Sequence, residues 1–570
     1  MSDNTTATGT PKKVYGIDLG TTYSALAVVI DGKAEIIKNN QEGSETTASA
    51  VFYDNATQYT VGEYAKSAAQ QAPENLVEFV KREMGTGWKR VIHGIELTPE
   101  IVSGHILARI AEDARRSGHD VKDVVITCPA YFGEKEREAT RSAGRIAGLN
   151  VIALLDEPVA AAFHYGLNKA ESDGAVVVYD LGGGTFDATV IKIEKGLVAV
   201  VCTDGSRTLG GVDWDKCIQE LVVEKFTKET GVSKEELFDD PDTKFLLRQK
   251  SEEAKRRLTQ TDSARITITH GPHRQTVEIT LAEFNEKTRR LLEKTTDLTQ
   301  NMIDLAKTKG VTKINNFLLV GGSVKMRQIL EMVKAKFASQ VDVITEQFEV
   351  DTAVAKGAAL YGLSKQLDED LAKQRKKLEE EARASGTQLS PTEIEEEATR
   401  RVANERGLTP SQLTDMTGIK PQTVATKSYG VRIWNKTKNR YAVANLIRKQ
   451  TPIPSEEGVK GEGTYGLLSA TGPSGNELDL IVYENNNMAD EEEMDVCVEV
   501  GRTSLKLHPN MQEGAPISVT FKLNDQGSLS MVGRDVTNGT TIDAHFTVKG
   551  GLSDEAIQEA AALTASLTKT

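Results

Sequence analysis

The clearest chemistry in the sequence lies in an acidic, glycine-rich turn. Residues 176–192 read VVVYDLGGGTFDATVIK, in which an apolar run ends at Asp180 and is followed by three glycines, Thr185, Asp187 and a second apolar run. This pattern predicts a strand, a tight turn and a strand. Glycines let main-chain N–H groups approach an anion where a Cβ would clash, and an Asp at a strand end can hold a hydrated divalent cation. The turn is therefore a candidate phosphate and metal site.

A second turn repeats this pattern near the start of the chain. Residues 14–29, VYGIDLGTTYSALAVV, place Asp18, Gly20, Thr21 and Thr22 between two apolar runs. We interpret the two turns as parts of a duplicated fold whose halves hold one polyphosphate between them. The alternative is two ordinary hairpins that share the tripeptide DLG.

The segments around these turns predict α/β structure. Residues 63–84 are predicted to be a helix that ends near Gly85 and carries Lys81 beside its apolar face. A lysine at such a place is usually only a C-terminal charge favoured by the helix dipole. The strand in VIALLDEP ends in Asp156 and Glu157, and in α/β sheets that end of a strand faces the ligand crevice.

Composition bounds the class of protein. The chain has 570 residues, of which 39% are hydrophobic and 27% charged, so it has enough length for three or four domains of ordinary globular composition. A net charge of −14 argues against a nucleic-acid partner. The four cysteines are widely spaced, which predicts reduced thiols rather than zinc or a disulfide framework. Because reduced thiols are typical of the cytoplasm, we expect a cytoplasmic protein. No apolar run is long enough for a bilayer, so no membrane contact is expected, and residues 1–12 are expected to be a disordered tail.

A set of motifs spread over residues 13–365 resembles the ATPase domain of the heat-shock 70-kDa chaperone family. The motifs, in the order of the family, are GIDLGTTYSA, CPAYFGEKEREATRSAG, DEPVAAAFHYG, YDLGGGTFDATVI, LGGVDWDKC, EEAKRRLT, LVGGSVKMRQI and AVAKGAALYG. The resemblance implies an α/β actin-like ATPase domain of two lobes with nucleotide at the base of the cleft. It also implies ATP or ADP with Mg²⁺ as bound cofactors.

The resemblance assigns roles to individual residues. Asp18 and Asp180 would hold Mg²⁺ largely through waters, and Glu157 and Asp187 would order the water shell of the metal. Lys81 would meet the γ-phosphate and the attacking water, so Lys81, Glu157, Asp180 and Thr185 form the expected catalytic set. The expected nucleotide contacts on the first lobe and the phosphate loops are Gly20, Thr21, Thr22, Tyr23, Gly182, Gly183, Gly184, Gly210 and Gly211. Those on the other wall are Glu252, Lys255, Arg256, Thr259, Gly321, Gly322, Ser323, Lys325 and Asp351.

The sequence departs from the family at three places. The family usually has Arg where this chain has Lys325, and because an ammonium does not stack flat on a base, weaker adenine affinity is expected. A basic residue that docks J-domain co-chaperones is replaced within residues 150–153, Asn-Val-Ile-Ala, and the Asn-Asp that follows AYF is replaced by Gly133 and Glu134. Both changes leave open whether J-domain co-chaperones act on this chain, while a nucleotide-exchange factor remains an implied partner.

The rest of the chain is predicted to be a charged helical insertion, a β-domain and a short helix. Residues 366–424 show helix starts at Ser390 and Thr409, and they replace the short acidic, leucine-rich linker of the family. We interpret them as a solvated spacer, with a partner-docking arm as the alternative. Residues 425–551 alternate apolar and polar positions, which predicts an all-β antiparallel sandwich. Residues 552–570 fit one helix, the start of a truncated lid.

The β-domain resembles the peptide-binding domain of the same chaperones. The resemblance implies that it binds extended apolar segments of unfolded client proteins, with Val443 and Met488 as candidates for the rim of the groove. Sandwich core is the alternative for both side chains. We therefore expect an ATP-hydrolysing chaperone, and the alternative is an ATP-binding regulator or assembly factor that grips one specific protein.

Overall fold

The computed structural model describes residues 13–168, 174–194, 197–345, 349–418, 420–454, 458–524, 528–546 and 552–569. The expected tail, residues 1–12, lies outside the described residues. Among the described helices, none combines the length and the apolar composition that a membrane crossing requires.

The first lobe is built on a sheet with the order β11-β10-β1-β2-β3, in which β4 also pairs with β2. The strands are β1 (Val14–Asp18), β2 (Tyr23–Ile30), β3 (Lys33–Ile37), β4 (Thr47–Ala48), β5 (Ala50–Asn55), β6 (Gln58–Val61), β7 (Leu76–Glu78), β8 (Arg90–Ile92), β9 (Ile95–Leu97), β10 (Asp123–Cys128) and β11 (Asn150–Asp156). The helices are α1 (Glu63–Ala68), α2 (Pro99–Arg116) and α3 (Glu134–Ile146). Thr98 caps α2 by accepting a hydrogen bond from the main-chain N–H of Ile101.

The second lobe repeats the same sheet order, β18-β17-β12-β13-β14. Its strands are β12 (Gly174–Leu181), β13 (Phe186–Glu194), β14 (Leu197–Ser206), β15 (Ser263–His270), β16 (His273–Thr280), β17 (Ile314–Val320) and β18 (Val341–Thr345). Its helices are α5 (Gly211–Thr230), α6 (Lys234–Asp239), α7 (Pro241–Leu258), α8 (Leu281–Thr308) and α9 (Arg327–Phe337). In both lobes an antiparallel meander is followed by two parallel strands, which is the duplication that the two glycine turns predict.

Two helices join the lobes, α4 (Glu157–Asn168) and α10 (Ala353–Ser385). Their small residues allow close contact: a Cβ on Gly357 of α10 would lie 1.8 Å from the carbonyl oxygen of Ala160 in α4. A shared apolar cluster contains residues of both sheets and both helices. The base of the cleft between the lobes is therefore a packed core.

The predicted helix over residues 63–84 is wrong. The structure has the short helix α1, a 3₁₀ turn at Pro73–Asn75, the strand β7 and a second 3₁₀ turn at Val80–Glu83. Pro73 and the left-handed backbone of Phe79, with φ of 60°, interrupt any continuous helix. Of the apolar residues that suggested a helical face, Leu76 and Val77 belong to β7, which pairs with β5, and Val80 begins the second 3₁₀ turn.

The helical insertion forms a three-helix unit. Helix α10 runs without a break across residue 365, and α11 (Pro391–Arg406) and α12 (Pro410–Met416) fold back on it. The three helices share a small apolar core that includes Leu371, Val402 and Leu413. The helix starts predicted at Ser390 and Thr409 are confirmed, because both side chains form capping boxes.

A short strand, β19 (Lys420–Val424), leads from this unit into the β-domain. It pairs in parallel with β14, so it extends the sheet of the second lobe. On its other side it pairs with Pro452–Ile453, the strand β22 of the β-domain. The side-chain amide of Gln450 adds two hydrogen bonds to the main chain of Thr203, at 3.1 and 2.5 Å. The β-domain is thus docked on the second lobe.

The predicted antiparallel sandwich is present, with two sheets in the orders β25-β21-β20-β24-β26 and β23-β27-β28-β29. The strands are β20 (Ser428–Asn435), β21 (Arg440–Ile447), β23 (Val459–Gly466), β24 (Glu477–Asn485), β25 (Glu491–Glu493), β26 (Val498–Lys506), β27 (Pro516–Leu523), β28 (Leu529–Asp535) and β29 (Thr541–Phe546). The side chains between the sheets form one apolar cluster.

The C-terminal helix packs on the first lobe. Helix α13 (Asp554–Ser566) lies against α2 and α3, where Ile557 and Leu567 join the apolar core of that lobe. The chain then adds the strand β30 (Thr568–Lys569), parallel to β6. We expected this segment to be the start of a lid on the sandwich, and the structure instead makes it part of the first lobe.

Candidate functional site

The two glycine turns meet at the floor of the cleft. A Cβ on Gly183 would lie 2.1 Å from Oγ1 of Thr22, and a Cβ on Gly184 would lie 2.3 Å from Cγ2 of Thr21. Only glycine permits this approach, because real Cβ atoms do not come within 3.0 Å of other heavy atoms. The turn of the second lobe is closed by the hydrogen bond from the N–H of Gly182 to the carbonyl of Thr185, at 3.1 Å. The lobes therefore bring both predicted phosphate loops together.

Four carboxylates surround this floor: Glu157, Asp180 and Asp187 are buried, and Asp18 is half-buried. Asp180 and Asp187 are cross-strand partners in β12 and β13. Burial, with Glu157 next in size, raises the pKa of Asp18 to about 7, although Lys81 and a hydrogen bond from Thr127 oppose the change. Burial and neighbouring carboxylates also raise the pKa of Asp180 and of Asp187 well above the usual range.

The acids fit a hydrated cation. Both carboxylate oxygens of Asp187 are buried and have no hydrogen-bond partner among the described residues. No three acidic, cysteine or histidine side chains of the described part of the chain converge closely enough to ligate a metal directly. Mg²⁺ prefers oxygen ligands and commonly keeps several of its waters, so this donor set fits Mg²⁺ held mainly through water.

Lys81 places an ammonium within this acidic floor. It is buried on the second 3₁₀ turn, and its Nζ donates to Oε1 of Glu157 at 2.5 Å. Burial lowers the pKa of Lys81, but the neighbouring Glu157 and Asp18 outweigh burial and hold the pKa above its usual value. The lysine therefore stays charged near neutral pH, where it can neutralise a phosphate oxygen.

The predicted residues at 210, 211 and 323 support the phosphate loop from behind. The N–H of Gly211 donates to the carbonyl of Gly182 at 3.0 Å, and a Cβ on Gly210 would lie 2.4 Å from the carbonyl carbon of Gly184. Ser323 Oγ donates to the carbonyl of Gly182 at 2.9 Å. These contacts hold the phosphate loop in its conformation without the help of a bound ligand.

The upper part of the cleft is closed by polar contacts between the lobes. Arg256 of α7 donates to the Tyr23 hydroxyl at 2.7 Å, and its guanidinium lies 5.1 Å from the centre of the Tyr23 ring. Lys66 lies 3.6 Å from Glu252 of the opposite lobe. Burial and the neighbouring Glu252 raise the pKa of the Tyr23 hydroxyl to about 12. A ligand in the cleft would therefore lie beneath a charged bridge.

Two lysines that the resemblance assigns to nucleotide have protein partners. Lys255 donates to Asp215 at 2.9 Å and to the carbonyl of Gly211 at 3.0 Å. Lys325 forms an ion pair with Asp351, and both side chains are largely exposed. Sequence reasoning missed Asp215, although it is the second of two acids that follow the glycine pair in the motif LGGVDWDKC.

A cavity of about 390 Å³ connects these groups. Most of the predicted site residues line it: Asp18, Gly20, Thr21, Thr22, Tyr23, Lys81, Glu157, Asp180, Gly182, Gly183, Thr185, Glu252, Lys255, Arg256, Thr259, Gly321, Gly322, Ser323, Lys325 and Asp351. Gly184, Asp187, Gly210 and Gly211 lie behind this lining. The cavity also has apolar walls that sequence reasoning missed, among them Phe79, Val212 and Val354.

The candidate peptide residues lie in different surroundings. Val443 is fully buried, in a small apolar cluster with Ile481 and Tyr483 on the outer face of one sheet. Its side chain is therefore buried, but it does not belong to the apolar cluster between the two sheets. Met488 is 48% exposed.

One comparison with known proteins bears on this arrangement. A family model described as Hsp70 protein matches residues 14–371, which is more than half of the chain. The matched segment contains both glycine turns, Lys81, the four carboxylates of the cleft floor and the whole lining of the cavity.

Proposed function

Since the chain belongs to the Hsp70 family, whose domain has the actin-like two-lobed ATPase fold and whose members bind and hydrolyse ATP, we propose that it is a slow ATPase that acts as a molecular chaperone. The observation that carries the proposal is the floor of the cleft, where two glycine and threonine loops from different lobes touch beside buried acids and one lysine. That arrangement suits a triphosphate with a divalent cation.

The residues of the chain would act mainly by position and charge. The N–H groups of the loops at Thr21–Thr22 and Gly183–Thr185 would bind phosphate oxygens, while those of Gly20 and Gly182 donate within their own turns. Asp18, Asp180 and Asp187 would hold Mg²⁺ through waters, and the bound ion would neutralise charge on the phosphates. Lys81 would offset charge at the γ-phosphate, and Glu157, 2.5 Å from Lys81, would orient that ammonium.

The test is a single-turnover ATP hydrolysis assay with Lys81→Ala. Loss of a positioned cation should lower the rate by about 100-fold or more while ADP still binds. Lys287→Ala is the matched control, because it removes a lysine paired with Glu220 and Glu224 on the outside of the second lobe. Wild-type turnover in the Lys81 variant would refute the assigned role.

We also propose that the sandwich binds extended apolar peptides of unfolded proteins. Several large apolar side chains of the β-domain are exposed, namely Tyr441, Leu468, Met488, Val496, Val498, Val532 and Val536. An extended peptide could bind to such a surface through its main chain and one or two apolar side chains. Binding of a labelled apolar peptide, weakened by Met488→Asp and unchanged by Glu462→Gln, is the expected result.

The docked strand β19 supports a link between nucleotide and peptide. It belongs to the sheet of the second lobe and also pairs with the β-domain. A change in cleft closure would therefore act on the contact that holds the sandwich. Peptide release measured with and without ATP tests this link, and equal release rates would contradict it.

A regulator or assembly factor with one specific partner is the second candidate. The three-helix unit favours this candidate, because a folded, charged surface can bind one specific partner, whereas a flexible spacer presents no fixed binding surface. Affinity capture separates the two functions: many unfolded clients support the chaperone, and one stoichiometric folded partner supports the regulator.

A further inference from the structure

Arg207 follows the last residue of β14 and reaches across the cleft to the first lobe. Its Nη1 lies 2.9 Å from Oε1 of Glu136, in the first turn of α3. Its Nη2 donates to the main-chain carbonyls of Arg82 at 3.0 Å and of Met84 at 2.9 Å. One guanidinium of the second lobe thus binds three acceptors of the first lobe.

The two carbonyls belong to the segment that presents Lys81. The 3₁₀ turn Val80–Glu83 follows the left-handed residue Phe79 and ends at Met84. A turn of four residues has little hydrogen bonding of its own, so its last carbonyls need outside partners. Arg207 supplies those partners and fixes the C-terminal end of the turn.

A second arginine crosses the cleft in the opposite direction. Arg82, the neighbour of Lys81, donates to the carbonyl of Gly184 at 2.9 and 2.6 Å and to Asp213 at 2.6 Å. The lysine turn is therefore fixed to the phosphate loop by Arg82 and to the end of β14 by Arg207. Both contacts exist only while the lobes are close together.

We propose that Arg207 is a positioning residue for ATP hydrolysis, which it supports by holding the Lys81 turn in register with the phosphate loop of the second lobe. This inference rests on the proposed ATPase function. Arg207 does not line the nucleotide cavity, so it acts through the lysine turn rather than by contact with nucleotide. Its carboxylate partner, Glu136, orients the guanidinium and so helps Arg207 to hold the Lys81 turn.

The geometry explains why an arginine is needed. A planar guanidinium presents donors in a fixed fork, so it can bond one carboxylate and two carbonyls at once, whereas an ammonium has no such fork. A shift of about 1 Å in a catalytic group can lower the rate of a reaction by as much as about 100-fold. Loss of Arg207 should therefore affect the hydrolysis step more than nucleotide binding.

The experiment compares full-length Arg207→Gln with the wild type in two measurements. Single-turnover ATP hydrolysis should fall by about tenfold or more, while the ADP affinity measured by titration should change by less than about threefold. Glu136→Gln should reproduce part of the loss, and the double variant should be no slower than Arg207→Gln, because the two residues act together. Arg207→Lys should recover only part of the rate.

A structural readout separates this proposal from the proposed ATPase function. Hydrogen–deuterium exchange of residues 80–86 with ADP bound should increase in Arg207→Gln, whether or not ATP is turned over. Arg90→Gln is the matched control, because Arg90 also bonds two main-chain carbonyls of the first lobe, those of Glu74 and Leu76, outside the lysine turn. It should leave the rate and the exchange of residues 80–86 unchanged.

The possible outcomes are distinct. Unchanged exchange and an unchanged rate in Arg207→Gln would overturn the proposal, as would a loss confined to nucleotide affinity. A wild-type protein without ATP turnover would instead defeat the proposed function, and the exchange measurement would still decide whether Arg207 holds the turn.

Discussion

The docking of the sandwich on the first lobe should weaken as the pH rises, because docking buries a carboxylate. Glu134, at the start of α3, accepts a hydrogen bond from the main-chain N–H of Leu529 in the sandwich. Its Oε2 is buried without a hydrogen-bond partner among the residues that the structure describes. Burial, with Glu484 of the sandwich and Glu138 of α3 adding to it, raises the pKa of Glu134 to about 8 from a usual 4.5.

The sign of the effect follows from proton binding. The docked form binds a proton more tightly than the undocked form, so docking is strongest below about pH 4.5 and weakens as the pH rises to about 8. A pKa difference of one between the two forms corresponds to about 1.4 kcal/mol of docking free energy. The titration of Glu134 can therefore weaken docking by at most about 5 kcal/mol, a limit reached above pH 8. Since Glu134 keeps partial contact with water, we expect about 1 to 2 kcal/mol of weakening between pH 5.5 and 7.5.

The perturbation is Glu134→Gln, which keeps the shape and removes the titration. Energy transfer between dyes at the exposed positions Asp120 of the first lobe and Glu462 of the sandwich reports separation of the two in urea. The wild type should separate at lower urea concentration as the pH rises, and the variant should show a smaller dependence. Glu559→Gln changes the same charge on the exposed side of α13 and is the control.

The difference between the variant and the wild type isolates Glu134 from all other titrating groups. That difference should grow by about 1 to 2 kcal/mol from pH 5.5 to 7.5. A difference that is constant over this range, or that shrinks with rising pH, would refute the reasoning.

Three further outcomes are expected. Gly183→Ala places a Cβ 2.1 Å from Oγ1 of Thr22. Overpacking of this kind costs about 1 to 3 kcal/mol. The affinity for ATP, measured by titration, should therefore fall by about tenfold. Gly87→Ala, with open space around its Cβ position, should bind normally, and equal affinities for the two variants would contradict contact between the loops. Ile557→Ala should lower the free energy of unfolding of the first lobe by about 2 kcal/mol or more, and unchanged denaturation would show that α13 contributes no packing there. Lys325→Arg should tighten nucleotide binding by about two- to fivefold through stacking on the base, and weaker binding would count against that role.

Local patterns were enough to predict the two glycine hairpins, the capped helices and the sandwich. The two strands and the turn around Asp180–Asp187 could be predicted from the sequence, because apolar runs flank a turn that only glycine allows. The capping boxes at Ser390 and Thr409 could be read because each cap is set by residues three positions apart.

Apart from the meeting of the two glycine turns, which their repeated pattern indicates, contacts between distant segments could not be predicted. The spacing of Leu76, Val77 and Val80 fits a helical face, but β7 forms because β5 offers a strand edge, and that neighbour is not visible in the local sequence. Arg207 has no motif, since its three acceptors lie in two other segments of the chain. The place of α13 was also wrong, because its apolar face specifies burial without specifying the surface that covers it.

Helix α10 connects the wall of the cleft cavity to the distant three-helix unit. It begins two residues after Asp351 in the cavity wall and continues for 33 residues, about 50 Å, to the tip of the three-helix unit. A tilt of about 5° at its first turn would displace that tip by about 4 Å. The apolar core that α10 shares with α11 makes α11 follow the same motion. A spin label near the end of α10 would thus report on the ligand at the opposite end of the helix.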